Sequence, residues 1–392
     1  MTYVDNAATT PVDERVVEEM KPYFSEEYGN PGSPHSIGFK AKEAVENSRN
    51  RIAKILNCSS SEVLFTSSGT ESVNLALKGV AEKFGKGHII TTCVEHHCVL
   101  DTCKYLEKRG FSVTYLPVDI YGRVREEDLR NAIREDTILV SIIYGSNEIG
   151  TISKIKSLAK VAHEKGVLFH TDACQAGRLL LDVEELGVDL LSLNSSKVYG
   201  PKGVGLLYRK EGIELEPLLH GGQQEFGLRA GTHNVPGIVG FAKALELMQK
   251  FSPEETARLV QLRDKLITGL LQIPKTLLNG HSTERLPDNV NITFCDLDGR
   301  ALLEMMNEQG IYASMGSACT SHILEASHVI IAIGIGAELA HGTLRFTLGR
   351  HTTHEDIDHM LDIIPGIVEE LSAKSPVKTD MKFVEERKCR LR

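Results

Sequence analysis

No stretch of this 392-residue chain approaches the eighteen uncharged apolar residues that a membrane-crossing helix requires. The N-terminus, Met1-Thr2-Tyr3-Val4-Asp5-Asn6, lacks a basic region followed by an apolar run. Both absences argue against a membrane anchor or an export signal. Positive charge is in deficit as well: 44 lysines and arginines stand against 53 aspartates and glutamates, a net charge of -9, which argues against a nucleic-acid-binding surface. No Cys-x-x-Cys pair occurs, and the eight cysteines (58, 93, 98, 103, 174, 295, 319 and 389) are scattered, which suits a reducing compartment better than a disulfide framework. No internal repeat is visible either. The expectation is a cytoplasmic protein that meets small molecules or proteins, with no nucleic acid and no membrane.

What is present is an ordinary globular composition, 41% hydrophobic and 25% charged, in a chain long enough for two or three domains. Apolar runs recur at Val63-Leu64-Phe65, His88-Ile89-Ile90, Val113 to Leu116, Ile138 to Ile143, Val167 to His170, Leu190 to Leu193 and Val204 to Tyr208, most of them separated by helix-like stretches such as Leu158 to Lys165. Near-continuous apolar strands alternating with helices predict an α/β fold whose sheet is mostly parallel and covered on both faces.

The expected division is a large α/β domain over 13–250 and a smaller α+β domain formed by 1–12 and 251–375, followed by a tail at 376–392. Ser252-Pro253-Glu254-Glu255 reads as a capping box that starts a long helix carrying Leu259, Leu262, Leu266 and Leu270. Strands at Asn289 to Phe294 and Thr343 to Leu348, and a helix at Arg300 to Gln309, follow. The polar segment Ser375 to Arg392 reads as a frayed tail.

The candidate chemistry centres on Lys197, Asp172 and Cys319. A lysine at the end of an apolar strand can hold an aldehyde cofactor as a Schiff base. Asp172, in His170-Thr171-Asp172-Ala173-Cys174-Gln175, ends another strand and can keep a pyridine nitrogen protonated, or can cap the segment that follows. Cys319, in Ser314-Met315-Gly316-Ser317-Ala318-Cys319, sits among small residues that suit an accessible loop thiol.

Thr66-Ser67-Ser68-Gly69-Thr70-Glu71 lies between a strand and a helix, where it can cradle a phosphate or simply cap the helix. Cys93, His96, His97, Cys98 and Cys103 lack metal-site spacing, because helical cysteines five residues apart rotate by about 140°. No metal is expected, and His96 suits a ring stacked on an aromatic cofactor or a satisfied buried histidine. Arg345 and Arg350 flank an apolar strand, and one of them can hold a carboxylate.

Together these residues resemble the cysteine desulfurases of the nitrogen-fixation and iron-sulfur-assembly type, among the fold-type I pyridoxal-phosphate enzymes. The similarity runs from Asp5-Asn6-Ala7-Ala8-Thr9-Thr10-Pro11 through Ser146-Asn147-Glu148-Ile149-Gly150 to Leu348-Gly349-Arg350. It implies conversion of L-cysteine to L-alanine with sulfur left on Cys319 as a persulfide, for delivery to an acceptor such as an iron-sulfur scaffold protein.

The resemblance further implies that pyridoxal 5'-phosphate is held by Lys197, with Asp172 at the ring nitrogen, Gln175 at the phenolate oxygen, and His96 stacked on the ring. Gly69, Thr70, Asn194 and Ser196 belong to the phosphate end of the site, where Thr232 is supplied by the other subunit of a homodimer. Asn147, Arg345 and Asn30 are implied at the substrate carboxylate. The chain departs from many relatives at Ser196, where histidine is usual, at Asn194 for serine, at Phe226 for arginine, and by one residue fewer after Gln175. The basic residues Arg387 and Arg390 suggest that the tail helps an acceptor dock. Competing readings are a selenocysteine lyase, an aminotransferase, or a non-catalytic binding protein on the same fold.

Overall fold

The computed structural model describes residues 1–316, 326–375, 379 and 381–390, without the side chains of 383 and 388–390. Its strands are β1 (Thr2–Tyr3), β2 (Val63–Thr66), β3 (His88–Thr92), β4 (Ser112–Leu116), β5 (Thr137–Ser141), β6 (Leu168–Asp172), β7 (Leu190–Asn194), β8 (Gly205–Arg209), β9 (Thr276–Leu278), β10 (Asn289–Phe294), β11 (Ile311–Tyr312) and β12 (Thr343–Thr347). Seven form one sheet in the order β2-β8-β7-β6-β5-β3-β4. β3 to β7 run parallel to one another, and β8 pairs antiparallel with both β2 and β7. Helices cover both faces, which is why the inner strands carry apolar residues without alternation.

Two hydrophobic clusters lie on this sheet, one around Phe65, Phe169 and Phe241 and the other around Leu64, Leu77 and Leu139. A third surrounds the antiparallel sheet β12-β10-β9 and takes in Val4, Phe294 and Phe346. The chain's start reaches that cluster because β1 pairs in parallel with β11.

The predicted leucine stripe is correct, since Leu259, Leu262, Leu266 and Leu270 are all fully buried. The predicted helix start at Ser252 is not. One 36-residue helix runs from Val235 to Leu270, with Pro253 inside it. Tertiary partners override the capping signal: Ser252 Oγ donates to the Arg178 carbonyl at 2.9 Å, and the Glu255 carboxylate pairs with Arg178 and Arg350. The actual N-terminal cap is Asn234, whose Oδ1 accepts from the Gly237 amide at 3.1 Å.

The reading of a frayed tail also needs correction. Residues Met381–Arg390 are helical, and Val384 is buried against Leu277 and Cys295. Arg387 donates to the carbonyls of Ile333 (2.8 Å) and Gly334 (3.3 Å), so its guanidinium anchors the helix rather than facing solvent. Among the described residues no helix is long and apolar enough to cross a membrane.

Candidate active site

Open α/β sheets present their ligand sites at the carboxyl ends of the strands. Here β3, β5, β6 and β7 end around a cavity of about 290 Å3, close to the lower end of ordinary small-molecule pockets at about 300 Å3. Its walls include Gly69, Thr70, His96, Asn147, Asp172, Gln175, Asn194, Ser196, Lys197 and Arg345. Ten residues singled out from the sequence thus converge on one space.

Each is placed by local structure. Lys197 closes a short 3-10 turn immediately after β7, and its ammonium donates to the carbonyls of Ala7 (2.6 Å) and Ala8. Gln175 Nε2 donates to the Ala7 carbonyl at 3.0 Å, so the N-terminal segment forms part of the floor. Asp172 ends β6, is buried, and accepts the Cys174 amide at 3.0 Å; no helix follows for it to cap. His96 caps the helix His97–Lys108, its Nδ1 accepting from the Cys98 amide at 3.1 Å.

The helix Gly69–Phe84 begins at the cavity wall. Ser68 is its cap and accepts from the Glu71 amide at 3.2 Å, which leaves Gly69 and Thr70 to line the cavity. Capping and cavity lining fall to different residues of the same motif. A Cβ on Gly69 would come within 2.5 Å of Cys174 Sγ, so only glycine fits there. Asn194 Oδ1 accepts the Ser196 amide at 3.3 Å and its hydroxyl at 3.4 Å, holding the two residues in one turn.

The two candidate arginines separate cleanly. Arg345 is 2% exposed and lines the cavity, donating to the Asn147 carbonyl and to Asp5 Oδ1, each at 2.9 Å. Its Nε has no partner, so a buried donor is left over. Arg350 pairs instead with Asp13 and Glu255, and its guanidinium lies 4.4 Å from the Tyr199 ring. It ties elements together rather than facing the cavity.

Asn30 and Thr232 do not line the cavity. Both are exposed, and Asn30 Oδ1 accepts from the Gly32 amide at 2.9 Å. Glu225 and Phe226, shortly before Thr232, take left-handed backbone conformations (φ 47° and 59°). Glu225 is held there by Arg49 Nη2 and His233 Nε2, each at 2.7 Å, and Phe226 lies 5.2 Å from the Arg49 guanidinium. Cys319 lies outside the described residues, as does the side chain of Arg390.

Sequence reasoning missed Asp5, Cys98, Cys174 and Glu95. The Cys174 thiol is pushed well up by burial and by Asp172, so it stays protonated. Glu95, one residue before His96, is fully buried; Oε1 accepts from Thr92 Oγ1 (2.8 Å) and the Ile143 amide (3.0 Å), while Oε2 has no partner. Burial, with a smaller push from Asp172, raises its carboxyl to about 8.

An unfolded glutamate releases its proton near about 4.3. Between that value and 8 the folded chain therefore holds the extra proton, and stability falls as pH rises through this window. Glu95→Gln is expected to flatten the dependence of Tm on pH between about 5 and 8; parallel Tm profiles for parent and variant would contradict this.

The chain is similar to known proteins over nearly its whole length. The family described as aminotransferase class-V matches residues 2–360. A cysteine desulfurase IscS of Methanosarcina thermophila is 53% identical over 378 residues, covering 96% of this chain and 94% of its own. A cysteine desulfurase IscS 1 of Archaeoglobus fulgidus is 48% identical, covering 96% and 99%. Among solved structures, a NifS-like protein superposes with a TM-score of 0.89 at 41% identity over 94% of this chain and 100% of its own. A structure described as SspA in complex with cysteine does so at 0.80 and 38%, covering 90% and 100%.

Proposed function

This chain belongs to the cysteine desulfurases of the aminotransferase class-V family, and from that premise we propose that it takes sulfur from L-cysteine onto Cys319, releasing L-alanine, with pyridoxal 5'-phosphate bound through Lys197. The observation that carries the proposal is the convergence of Lys197, Asp172 and Arg345 on one cavity that a helix N-terminus also lines. That donor set fits the cofactor: an amine for its aldehyde, a buried carboxylate for its ring nitrogen, and amides and hydroxyls of Gly69, Thr70, Asn194 and Ser196 for its phosphate. No lysine, arginine or histidine stands at Ser196, so the phosphate charge is met by the helix N-terminus and neutral donors.

When bound, the cofactor supplies an electron sink for charge developing at the substrate's α-carbon. The chain's own residues do the remainder. Arg345, which lines the cavity, holds the cysteine carboxylate, with Asn147 beside it. Lys197 Nζ moves the proton at the α-carbon. The Cys319 thiolate attacks the sulfur of cysteine: a sulfur-sulfur bond forms, the carbon-sulfur bond breaks, and its electron pair leaves with the carbon fragment, which is protonated and released as alanine. No external oxidant or reductant is consumed.

The exposed Thr232 is assigned to a cofactor phosphate in a second copy of the chain, which makes the proposed working form a homodimer; the scattered cysteines support a place in the cytoplasm. Asn30 is assigned to the substrate carboxylate, with Asn147 and Arg345. The persulfide then passes to an acceptor protein, an iron-sulfur scaffold among the candidates. Cys319→Ser is expected to bind cysteine, seen as a change in cofactor absorbance, and to form no alanine. Alanine formation at the parent rate would exclude Cys319 as the acceptor and favour an aminotransferase or lyase in which that thiol is incidental.

A further inference from the structure

Glu148 follows the cavity residue Asn147 and is 2% exposed. A carboxylate so buried requires partners. Its Oε2 accepts the Ser327 hydroxyl at 2.5 Å. A Cβ built on Gly316 would stand 3.0 Å from the same oxygen, and Gly316 has a φ of +120°, which side-chain-bearing residues rarely adopt. Glycine there takes the positive φ and keeps a side chain from crowding the carboxylate. In sequence, residues 316 and 327 stand on either side of Cys319, so one buried acid bonds to the chain after it and lies close to the backbone before it.

The acid is itself fixed. Its carbonyl accepts the side-chain amides of Asn289 and Asn291 on β10, each at 3.1 Å. Two further anchors act nearby. Ser314 and Arg345 exchange backbone hydrogen bonds of 3.1 and 2.7 Å, and His328 Nε2 donates to the Glu95 carbonyl at 3.0 Å. Every anchor is a cavity residue or its chain neighbour: Glu148 follows Asn147, Glu95 precedes His96, and Arg345 lines the cavity.

We propose that Glu148 is a positioning residue for sulfur transfer, holding both flanks of the Cys319 segment in register with the residues that bind substrate. The proposal rests on the reading of Cys319 as sulfur acceptor and adds the group that sets its approach. A displaced thiol costs rate in the step it performs and leaves cysteine binding alone.

The test uses the cofactor-loaded enzyme mixed with cysteine, following sulfur arrival on Cys319 by mass spectrometry and cysteine binding by cofactor absorbance. Glu148→Ala is expected to slow sulfur arrival about 10- to 100-fold, with the half-saturating cysteine concentration within about twofold of the parent's. Where Glu148→Ala does not fold, Ser327→Ala decides, since it removes the hydroxyl from a half-buried site; the same split is expected in smaller measure.

Sulfur arrival at the parent rate, or cysteine binding lost in the same proportion as sulfur arrival, would overturn the proposal. Alanine production by Cys319→Ser would instead bring down the acceptor reading, whatever Glu148→Ala shows, so the two failures are distinguishable.

Discussion

Lys197→Ala is expected to lose the visible absorbance of lysine-bound pyridoxal phosphate and nearly all turnover of cysteine. The amine has two functions in the proposed scheme, attachment of the cofactor and movement of the α-proton. Losing the proton-moving group alone typically costs about 10²- to 10⁴-fold, and losing the covalent tether adds to that. The structure sharpens the expectation, because the ammonium is aimed by two specific acceptors, the carbonyls of Ala7 and Ala8, rather than solvated. An added amine that restores part of the rate, with the fold unchanged by circular dichroism, would show that only the side chain is missing. A variant that keeps both the absorbance and parent turnover would exclude Lys197 as the attachment point.

Arg345→Ala should have the second-largest effect, through kcat/KM. This arginine is almost fully buried, spans Asn147 and Asp5, and retains an unpaired Nε. Truncating one partner of a buried charge pair costs about 2–5 kcal/mol, equivalent to roughly 30- to 5,000-fold in kcat/KM. Arg345→Lys is expected to rescue little, since an ammonium cannot reproduce the planar fork that reaches Asn147, Asp5 and a carboxylate at once. The check is steady-state kinetics with cysteine; a kcat/KM within threefold of the parent's for Arg345→Ala would remove this residue from substrate binding.

Much of the large sheet was legible because strands buried on both faces appear as unbroken apolar runs, and all seven strands overlap predicted runs, including the antiparallel β2 and β8 and the half-buried β4. The cavity was legible for a related reason, since residues at strand ends such as Asp172, Asn194 and Lys197 fall where α/β sheets place ligands. What escaped depends on partners distant in sequence. Ser252 and Glu255 carry a local signal for a helix start, yet they bond to Arg178 and Arg350, and the helix runs straight through them.

Arg345 and Arg350 looked alike in the sequence, and only Asp5 on one side and Asp13 with Glu255 on the other separate their roles. The floor beneath Lys197 left no trace, because Ala7 and Ala8 contribute carbonyls, which every residue has. Glu148 and Glu95 were hidden for the opposite reason: their carboxylates ordinarily signal a solvated surface, and only burial gives them meaning.

The most direct measurement is mass spectrometry of the pyridoxal phosphate-loaded protein after a limited pulse of cysteine, with peptide mapping of all eight cysteines and alanine counted in the supernatant. One extra sulfur on Cys319, matched by one alanine and absent from Cys98 and Cys174, is the predicted result. Sulfur on another cysteine, or alanine without protein-bound sulfur, would contradict it.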